Sequence, residues 1–305
     1  MLRNDKNLSE TDIRTEGSEM AFLVASLADK RPWLKTGTLC KSLERHKMLH
    51  LGVAKMVPPF EIVRMKLGGT YFLAGLGGEG RVIVDGRWKT CSPGQAFLLP
   101  PGTLHAFEAM PRQDWEFCWI RFQEDLPGQP IADANSPVLA SFDGRPLRHA
   151  ILGLHEEAKG PARGEMEAHW LDLIFRHIQI FAGPHQLDPR LQQLFKEVGE
   201  TIGQAWENQK MAAKACLSER QLERLCIRQL GRTPRQHLIW LRMHRAAAML
   251  AQGELKIEAI AHEVGYSNPF VFSSTFKRCM GWAPSEYPRR VMATQLTSKP
   301  APSSS

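Results

Sequence analysis

Two short helical units of similar design, joined by one long capped helix, fill the last third of this 305-residue chain. They constrain its fold more than any other feature. The clearer unit is predicted over 257–264, with Ile257, Ile260, Ala261 and Val264 on one face. Gly265 follows where a tight turn between helices needs positive φ. A second helix starts near Ser267 to Pro269, proline being tolerated in a first turn, and Phe272 and Phe276, four apart, anchor it. The other unit repeats the scheme: a helix at 211–216, a turn and N-cap at Leu217-Ser218, a helix with Leu222 and Leu225 inward as far as Gln229, and a stop at Gly231. Between the units, Thr233-Pro234 predicts an N-cap with proline at the first helical position, and Gln252-Gly253 predicts the end. Ile239, Met243, Ala246 and Leu250 form the expected buried stripe of this spacer, ~27 Å long at 1.5 Å per residue.

Charge follows the same division. Residues 188–290 hold 16 Lys and Arg against 10 Asp and Glu, whereas the rest of the chain holds 23 against 22. Nearly all of the net +7 therefore lies in the helical third. That asymmetry suits a polyanion-binding domain joined to a near-neutral one, although a basic surface alone is a weak sign.

Ahead of the helical third the text is strand-like. From about Phe60 to Gln123, runs at 61–66, 71–76, 81–84, 95–99 and 115–122 are separated by Gly and Pro. Asp85-Gly86 predicts a two-residue hairpin, since both turn positions want positive φ. Short strands with tight turns predict a β-barrel or sandwich. After Phe122 the period becomes helical, at 146–155 and 165–181, with Leu171, Ile174, Phe175 and Ile178 at i, i+3, i+4 and i+7. That stripe either packs on the outside of the barrel or pairs with a second subunit.

These residues carry a resemblance. Leu217-Ser218, Leu222, Arg224, Gly231, Pro234, Arg242, Ala246, Ile260-Ala261, Gly265-Tyr266, Phe272-Ser273, Phe276-Lys277-Arg278, Gly281 and Pro284-Ser285 hold the spacing of the DNA-binding domain of AraC/XylS-type transcription regulators. Ser274 departs from the family pattern, where Arg is usual, and Cys226 stands where a larger apolar residue is common. The resemblance implies two recognition helices that enter the major groove by their N-terminal halves. In the first unit the outward residues are Arg220, Glu223 and Arg224, with Ser218 and Gln221 beside them. An Arg can pair with guanine and a Glu can accept from cytosine. In the second unit Asn268, Pro269, Phe270, Val271, Ser273, Ser274 and Lys277 are offered, Phe270 and Val271 suiting thymine methyls. Without an Arg at Ser274 this unit is expected to read sequence less sharply. Lys256, Lys277 and Arg278 are expected on phosphates. A solvated helix face is the alternative for each. Helices in successive major grooves would cover two turns, roughly 20 bp.

In the amino-terminal part, Gly94-x5-Pro100-x-Gly102-x2-His105 matches the second conserved motif of cupin barrels, and residues 71–107 resemble the effector-binding domain of the same regulators. A metal-dependent cupin also needs an earlier HxH and a Glu. His46 and His50 lie ahead of the predicted barrel, four apart, so a lone His105 cannot hold a catalytic metal. His105 and Phe107 share one strand face, as do Phe117 and Trp119. The resemblance places these four in a sugar pocket, where an indole stacks on the sugar's C–H face. Phe107 and Phe117 stand where a sugar site would use polar groups, which turns the pocket toward a less polar ligand. The alternative is that the aromatics simply fill a small barrel. Arg64 and Arg121 are candidates for an anionic group on the ligand, an external position being the alternative.

The expected organisation is thus an α+β multidomain chain. It has a polar arm at 1–18, a cupin-like effector-binding β-barrel at 19–145, a helical dimerisation segment at 146–183, an all-α DNA-binding domain at 188–290 and a disordered tail at 291–305. The apolar stretch at 20–28, interrupted by Ser26, falls far short of the roughly 20 residues that a membrane span needs. The first nineteen residues mix acids with bases and predict no secretory signal. Six cysteines without a CxxC pair read as reduced thiols in a cytoplasmic protein. The expected partners are double-stranded promoter DNA, a sugar-like or small aromatic effector, a second copy of the chain and RNA polymerase. No cofactor and no enzymatic activity are expected. Two alternatives stay open: a metal-cupin enzyme fused to a DNA-binding domain, and a constitutive DNA-binding regulator with no effector.

Overall fold

The computed structural model describes residues 9–29, 31–65, 68–123, 131, 134–160, 164–183 and 187–290. The expectations for the first eight residues, for 184–186 in the linker and for the tail at 291–305 fall outside the described residues.

The amino-terminal domain is built from strands β1 (Thr11–Ile13), β2 (Glu19–Val24), β3 (Thr38–Leu39), β4 (Met48–Met56), β5 (Glu61–Arg64), β6 (Tyr71–Gly77), β7 (Gly80–Val84), β8 (Arg87–Cys91), β9 (Gln95–Leu99), β10 (His105–Ala109), β11 (Trp115–Phe122) and β12 (Leu139–Ser141). They form two sheets, ordered β1-β5-β10-β7-β8 and β12-β9-β6-β11-β4-β2-β3. The expected closed barrel is therefore an open pair of facing sheets. Two of the free edges are covered instead of paired: Val138, just ahead of β12, donates to Leu230 O at 3.1 Å, and Lys89 of β8 bonds to Gly231 O. A covered edge is protected as effectively as a closed one.

Alternation along the central strands decides what lies between the sheets. In β11, Trp115, Phe117 and Trp119 face inward while Cys118, Ile120 and Phe122 face outward. β4 pairs with β11 in antiparallel register, Gly52 opposite Trp119. Hence Ala54 and Met56 face inward, and Leu51 and Val53 outward. Strand reading from Phe60 onward missed β2 and β4, the latter being β11's long partner. The hairpin at Asp85 and Gly86 forms as expected, with φ of 52° and 72°.

Helices α1 (Gly144–Lys159) and α2 (Gly164–Ala182) cover the outer face of the larger sheet. Leu171, Ile174 and Ile178 are fully buried there and Phe175 partly so, which settles that stripe as packing. The opposite face of α2 leaves Met166, Leu173 and Ile180 exposed, seven residues apart.

The carboxy-terminal domain contains α3 (Pro189–Glu200), α4 (Asn208–Lys214), α5 (Glu219–Leu230), α6 (Pro234–Gln252), α7 (Ile257–Glu263) and α8 (Pro269–Met280). The local signals act as their chemistry demands. Ser218 and Thr233 close capping boxes with Gln221 and Gln236, and Gly231, Gly253 and Gly281 end helices at φ of 72°, 74° and 96°. α6 is apolar on more than the expected stripe because it serves two cores. Leu238 and Leu241 enter the core of the first unit, whereas Trp240, Met243, Ala246 and Leu250 enter that of the second.

Candidate DNA-reading face and effector pocket

Both candidate recognition helices present their N-terminal halves to solvent. On α5, Arg220, Glu223 and Arg224 are exposed, while Leu222, Leu225, Cys226 and Leu230 are buried. On α8, Phe270 is 86% exposed and Val271 52%. A phenylalanine that open to water, on a helix whose Phe272 and Phe276 are fully buried, has an apolar surface with nothing against it.

Several expected DNA contacts are already committed to the helix ends. Ser218 Oγ accepts from Gln221 N at 3.3 Å, and Gln221 Oε1 accepts from Ser218 N at 2.9 Å. Asn268 Oδ1 accepts from Phe270 N at 2.8 Å, and Ser274 Oγ donates to Val271 O at 3.0 Å. These four side chains shape the helices, so base reading falls to their neighbours. Pro269 and Ser273 are half-buried, and Lys256 and Lys277 are exposed. Arg278 is exposed at its tip, but its stem lies against the hairpin, where a Cβ on Gly86 would stand 2.6 Å from Arg278 Cγ.

The C-terminal ends of both helices rest on the amino-terminal domain. Val138 N bonds to Leu230 O and Leu104 N to Met280 O, each at 3.1 Å. The capping glycines touch it too: a Cβ on Gly231 would stand 2.8 Å from Leu139 Cβ, and one on Gly281 2.7 Å from Leu104 Cβ. Between these two points Arg232, 3% exposed at its side chain, makes a bidentate pair with Asp85 of the hairpin at 2.7 and 3.0 Å. Its guanidinium lies 4.4 Å over the Trp240 ring. Beside this seam an open groove of about 1150 Å³ is lined by Arg87, Lys89, Arg235, Arg242 and Arg278 among others.

The second candidate site lies between the sheets. Phe107, Phe117 and Trp119 line a void of about 10 Å³ together with Arg14, Trp33 and Tyr71. That is room for one water. His105, expected in the pocket, does not line it. Its Nε2 bonds to Pro100 O at 2.8 Å, and burial, with Arg121 adding to it, pulls its pKa down to about 3. Arg64 does not line it either: the guanidinium bonds Thr11 O at 3.1 Å and Asp12 at 2.5 Å, fastening β1 to the sheet.

Sequence reading placed His50 ahead of the barrel. The structure puts it on β4, 2% exposed, accepting a 2.9 Å bond from Trp119 Nε1. Burial first, then Arg31 and Arg121, hold it well below the usual imidazole range. The signal that would have found it is the alternation Leu49, Leu51, Val53 through residues 48–56. Trp33, within a short 3-10 turn, and Arg14, just past β1, were likewise missed. Arg14 lies 3.9 Å over the Trp33 ring. Among the described residues no three or more His, Cys, Asp and Glu side chains gather as a metal site.

Comparison with known proteins matches residues 74–217 to the AraC-like ligand binding domain and residues 211–290 to a helix-turn-helix domain. The chain is 28% identical to the MmsAB operon regulatory protein of Pseudomonas aeruginosa, over 69% of this chain and 71% of that one. It is 25% identical to the arabinose operon regulatory protein of Escherichia coli K12, over 69% and 77%. With the RCS-specific HTH-type transcriptional activator RclR of the same organism it shares 28%, over 76% of each. Among solved structures, ToxT from Vibrio cholerae O395 aligns over 79% of this chain and 97% of that one, at 16% identity and a TM-score of 0.39.

Proposed function

Since the chain belongs to the AraC family of transcription regulators, joining a ligand-binding domain to a helix-turn-helix DNA-binding domain, we propose that a small metabolite held between the two sheets governs how both recognition helices meet promoter DNA. One observation carries this reading. Each recognition helix is free at its N-terminal half and docked at its C-terminal end on the same ligand-binding domain. A change within that domain therefore acts on both helices together, and the Asp85–Arg232 pair is the polar centre of the contact. Coupling of this kind requires that the ligand bind the two arrangements unequally.

On this reading Arg220, Glu223 and Arg224 read bases in one major groove, and Phe270 and Val271 meet thymine methyls in the next. Lys256, Lys277 and Arg278, with the cationic groove beside them, hold phosphates. The exposed Met166, Leu173 and Ile180 face of α2 is the surface for a second copy, since three large apolar side chains recur along one side of the helix and are left open to water. No described helix is long and apolar enough to cross a membrane. Duplex promoter DNA in the cytoplasm is the proposed target, with RNA polymerase as the proposed downstream partner.

The test is duplex binding followed by anisotropy. Affinity for promoter DNA is expected to fall steeply between 50 and 200 mM salt, by roughly 10³-fold or more if six phosphates are contacted. A response to the effector is expected in the native chain and is expected to vanish with Asp85→Ala. A flat salt response overturns DNA binding, and an effector response unchanged by Asp85→Ala overturns the route through the seam.

A further inference from the structure

The cluster around Trp33, His50 and Arg14 carries more hydrogen-bond donors than acceptors, and two of the donors are buried without a partner. Trp119 Nε1 donates to His50 Nδ1, and an indole can only donate. Nδ1 is therefore the acceptor nitrogen, and the proton of the neutral ring sits on Nε2. His50 Nε2 is buried without a partner. Trp33 Nε1, whose ring centroid is 5.3 Å from that of His50, is also buried without one. Arg14 Nη1 meets only the Met20 sulfur at 3.4 Å, a weak acceptor for a guanidinium.

The nearby carboxylates are already engaged. Asp12 is shared by Arg14 at 2.8 Å and Arg64 at 2.5 Å. Asp29 binds the Arg31 side chain through both oxygens, at 2.9 and 2.7 Å. Buried donors normally find partners, because leaving one unpaired is costly. Two of them, on rings whose centroids are 5.3 Å apart, with the Arg14 guanidinium 3.9 Å over the Trp33 ring, await an acceptor from outside.

We infer that the ligand of this pocket is a small organic anion, a carboxylate on a flat apolar body, its oxygens held by Trp33 Nε1, His50 Nε2 and the Arg14 guanidinium. The inference rests on the reading of this cavity as the effector site. Tyr71, Phe107, Phe117 and Trp119 supply aromatic walls, and His50, which does not line the present void, packs beside it against Trp33, Tyr71 and Trp119. The present void is too small for such a body. The ligand takes the volume over Trp33 that the Arg14 side chain now fills, and Arg14 turns to pair with the carboxylate. Arg14 adjoins β1, a three-residue edge strand held to β5, so it is the wall that yields most easily. A neutral sugar would bring as many donors as acceptors into a site already in excess of donors. A cation would oppose Arg14, Arg31 and Arg121, whose positive charge is felt at His50 against the single opposing carboxylate of Asp29.

The experiment is titration calorimetry on the full chain with benzoate, phenylacetate and 3-phenylpropionate, each against its primary amide, and with L-arabinose as a neutral sugar. At least one acid is expected to bind tenfold or more tightly than its amide. Arg14→Gln and Trp33→Phe, which keep bulk but remove charge or donor, are each expected to weaken that acid tenfold or more. Amide binding as tight as acid binding, or acid binding indifferent to both substitutions, overturns the inference. If arabinose binds, loses its site with Trp119→Phe, and no acid binds, the anion assignment fails while the effector site stands. If no probe binds, both fail.

Discussion

At the residue scale, the groups that matter most are those whose surroundings leave them a single role. His50, His105 and His237 are buried, and burial holds each imidazole neutral, His105 at about 3 and the other two well below the usual range. In the unfolded chain each titrates near 6.5. Below that pH the unfolded state gains protons that the folded state cannot take, so the stability these groups allow at neutral pH is lost as pH falls from about 6.5 toward 3. Thermal midpoints measured from pH 7.5 to 4.5 are expected to drop steadily through this range. His237 makes no hydrogen bond through either ring nitrogen and lies edge-on to Phe195 at 4.3 Å. His237→Leu is expected to leave stability unchanged or raise it by about 1 kcal/mol, since it removes two unsatisfied polar atoms, and to blunt the acid response. A midpoint that ignores pH in both proteins contradicts this account. On the proposed DNA face the contrast lies between Arg220 and Asn268. Arg220→Ala is expected to relax base preference in one half-site at about 1–3 kcal/mol with unchanged stability. Asn268→Ala is expected to lower stability by about 1 kcal/mol, because its side chain caps α8. Melting curves and base-substituted duplexes separate the two roles.

At the element scale, the glycines that end α5 and α8 do two things. Each adopts a left-handed conformation, and each lets the amino-terminal domain approach within a distance that no Cβ allows. Gly281→Ala is therefore expected to cost about 1–3 kcal/mol through backbone strain alone, with the contact to Leu104 pushed apart as well. Denaturant unfolding measures the first, and an altered DNA affinity reports the second. Helix α2 shows how one element serves two partners. Leu171, Ile174 and Ile178 are consumed by the sheet, which leaves only the Met166, Leu173 and Ile180 face for a subunit contact. Leu173→Glu is expected to yield a monomer by sedimentation with its fold intact. A mass unchanged from the wild type, at the same concentration, removes α2 from the interface. The strand elements explain why β4 was missed and β11 was not. WEFCWIRF alternates large aromatics with smaller residues, whereas β4 alternates Leu and Val with His50, Gly52 and Ala54, and small inward residues weaken the periodic signal.

Across the whole molecule, the amino-terminal domain touches the C-terminal ends of both candidate recognition helices. The seam carries a charged pair, the two backbone hydrogen bonds Val138 N to Leu230 O and Leu104 N to Met280 O, and Tyr287 OH donating to Gly102 O at 3.1 Å. Asp85→Ala leaves the guanidinium of Arg232, 3% exposed, without its partner, at a cost of up to about 3–5 kcal/mol. The double substitution of Asp85 and Arg232 by Ala is expected to recover part of that loss while remaining unresponsive to ligand. A double mutant that loses the sum of the two single effects shows the pair to be uncoupled.

Much of this architecture was legible from the chain alone, and the reason is range. Capping boxes, positive-φ glycines, the Asp85-Gly86 turn and the helical period are set by interactions within a few residues, so their positions are written locally. The division into a near-neutral strand domain and a basic helical one follows from composition by the same logic. The functional detail depends on residues brought together from afar. His50 meets Trp119 across 69 residues, and Asp85 meets Arg232 across 147. Whether a histidine between two sheets faces carbonyl, indole or open space depends on register between strands, which no local pattern specifies. Tertiary packing therefore committed His105 to Pro100 and Arg64 to the arm, and left His50 and Trp33 holding unpaired donors.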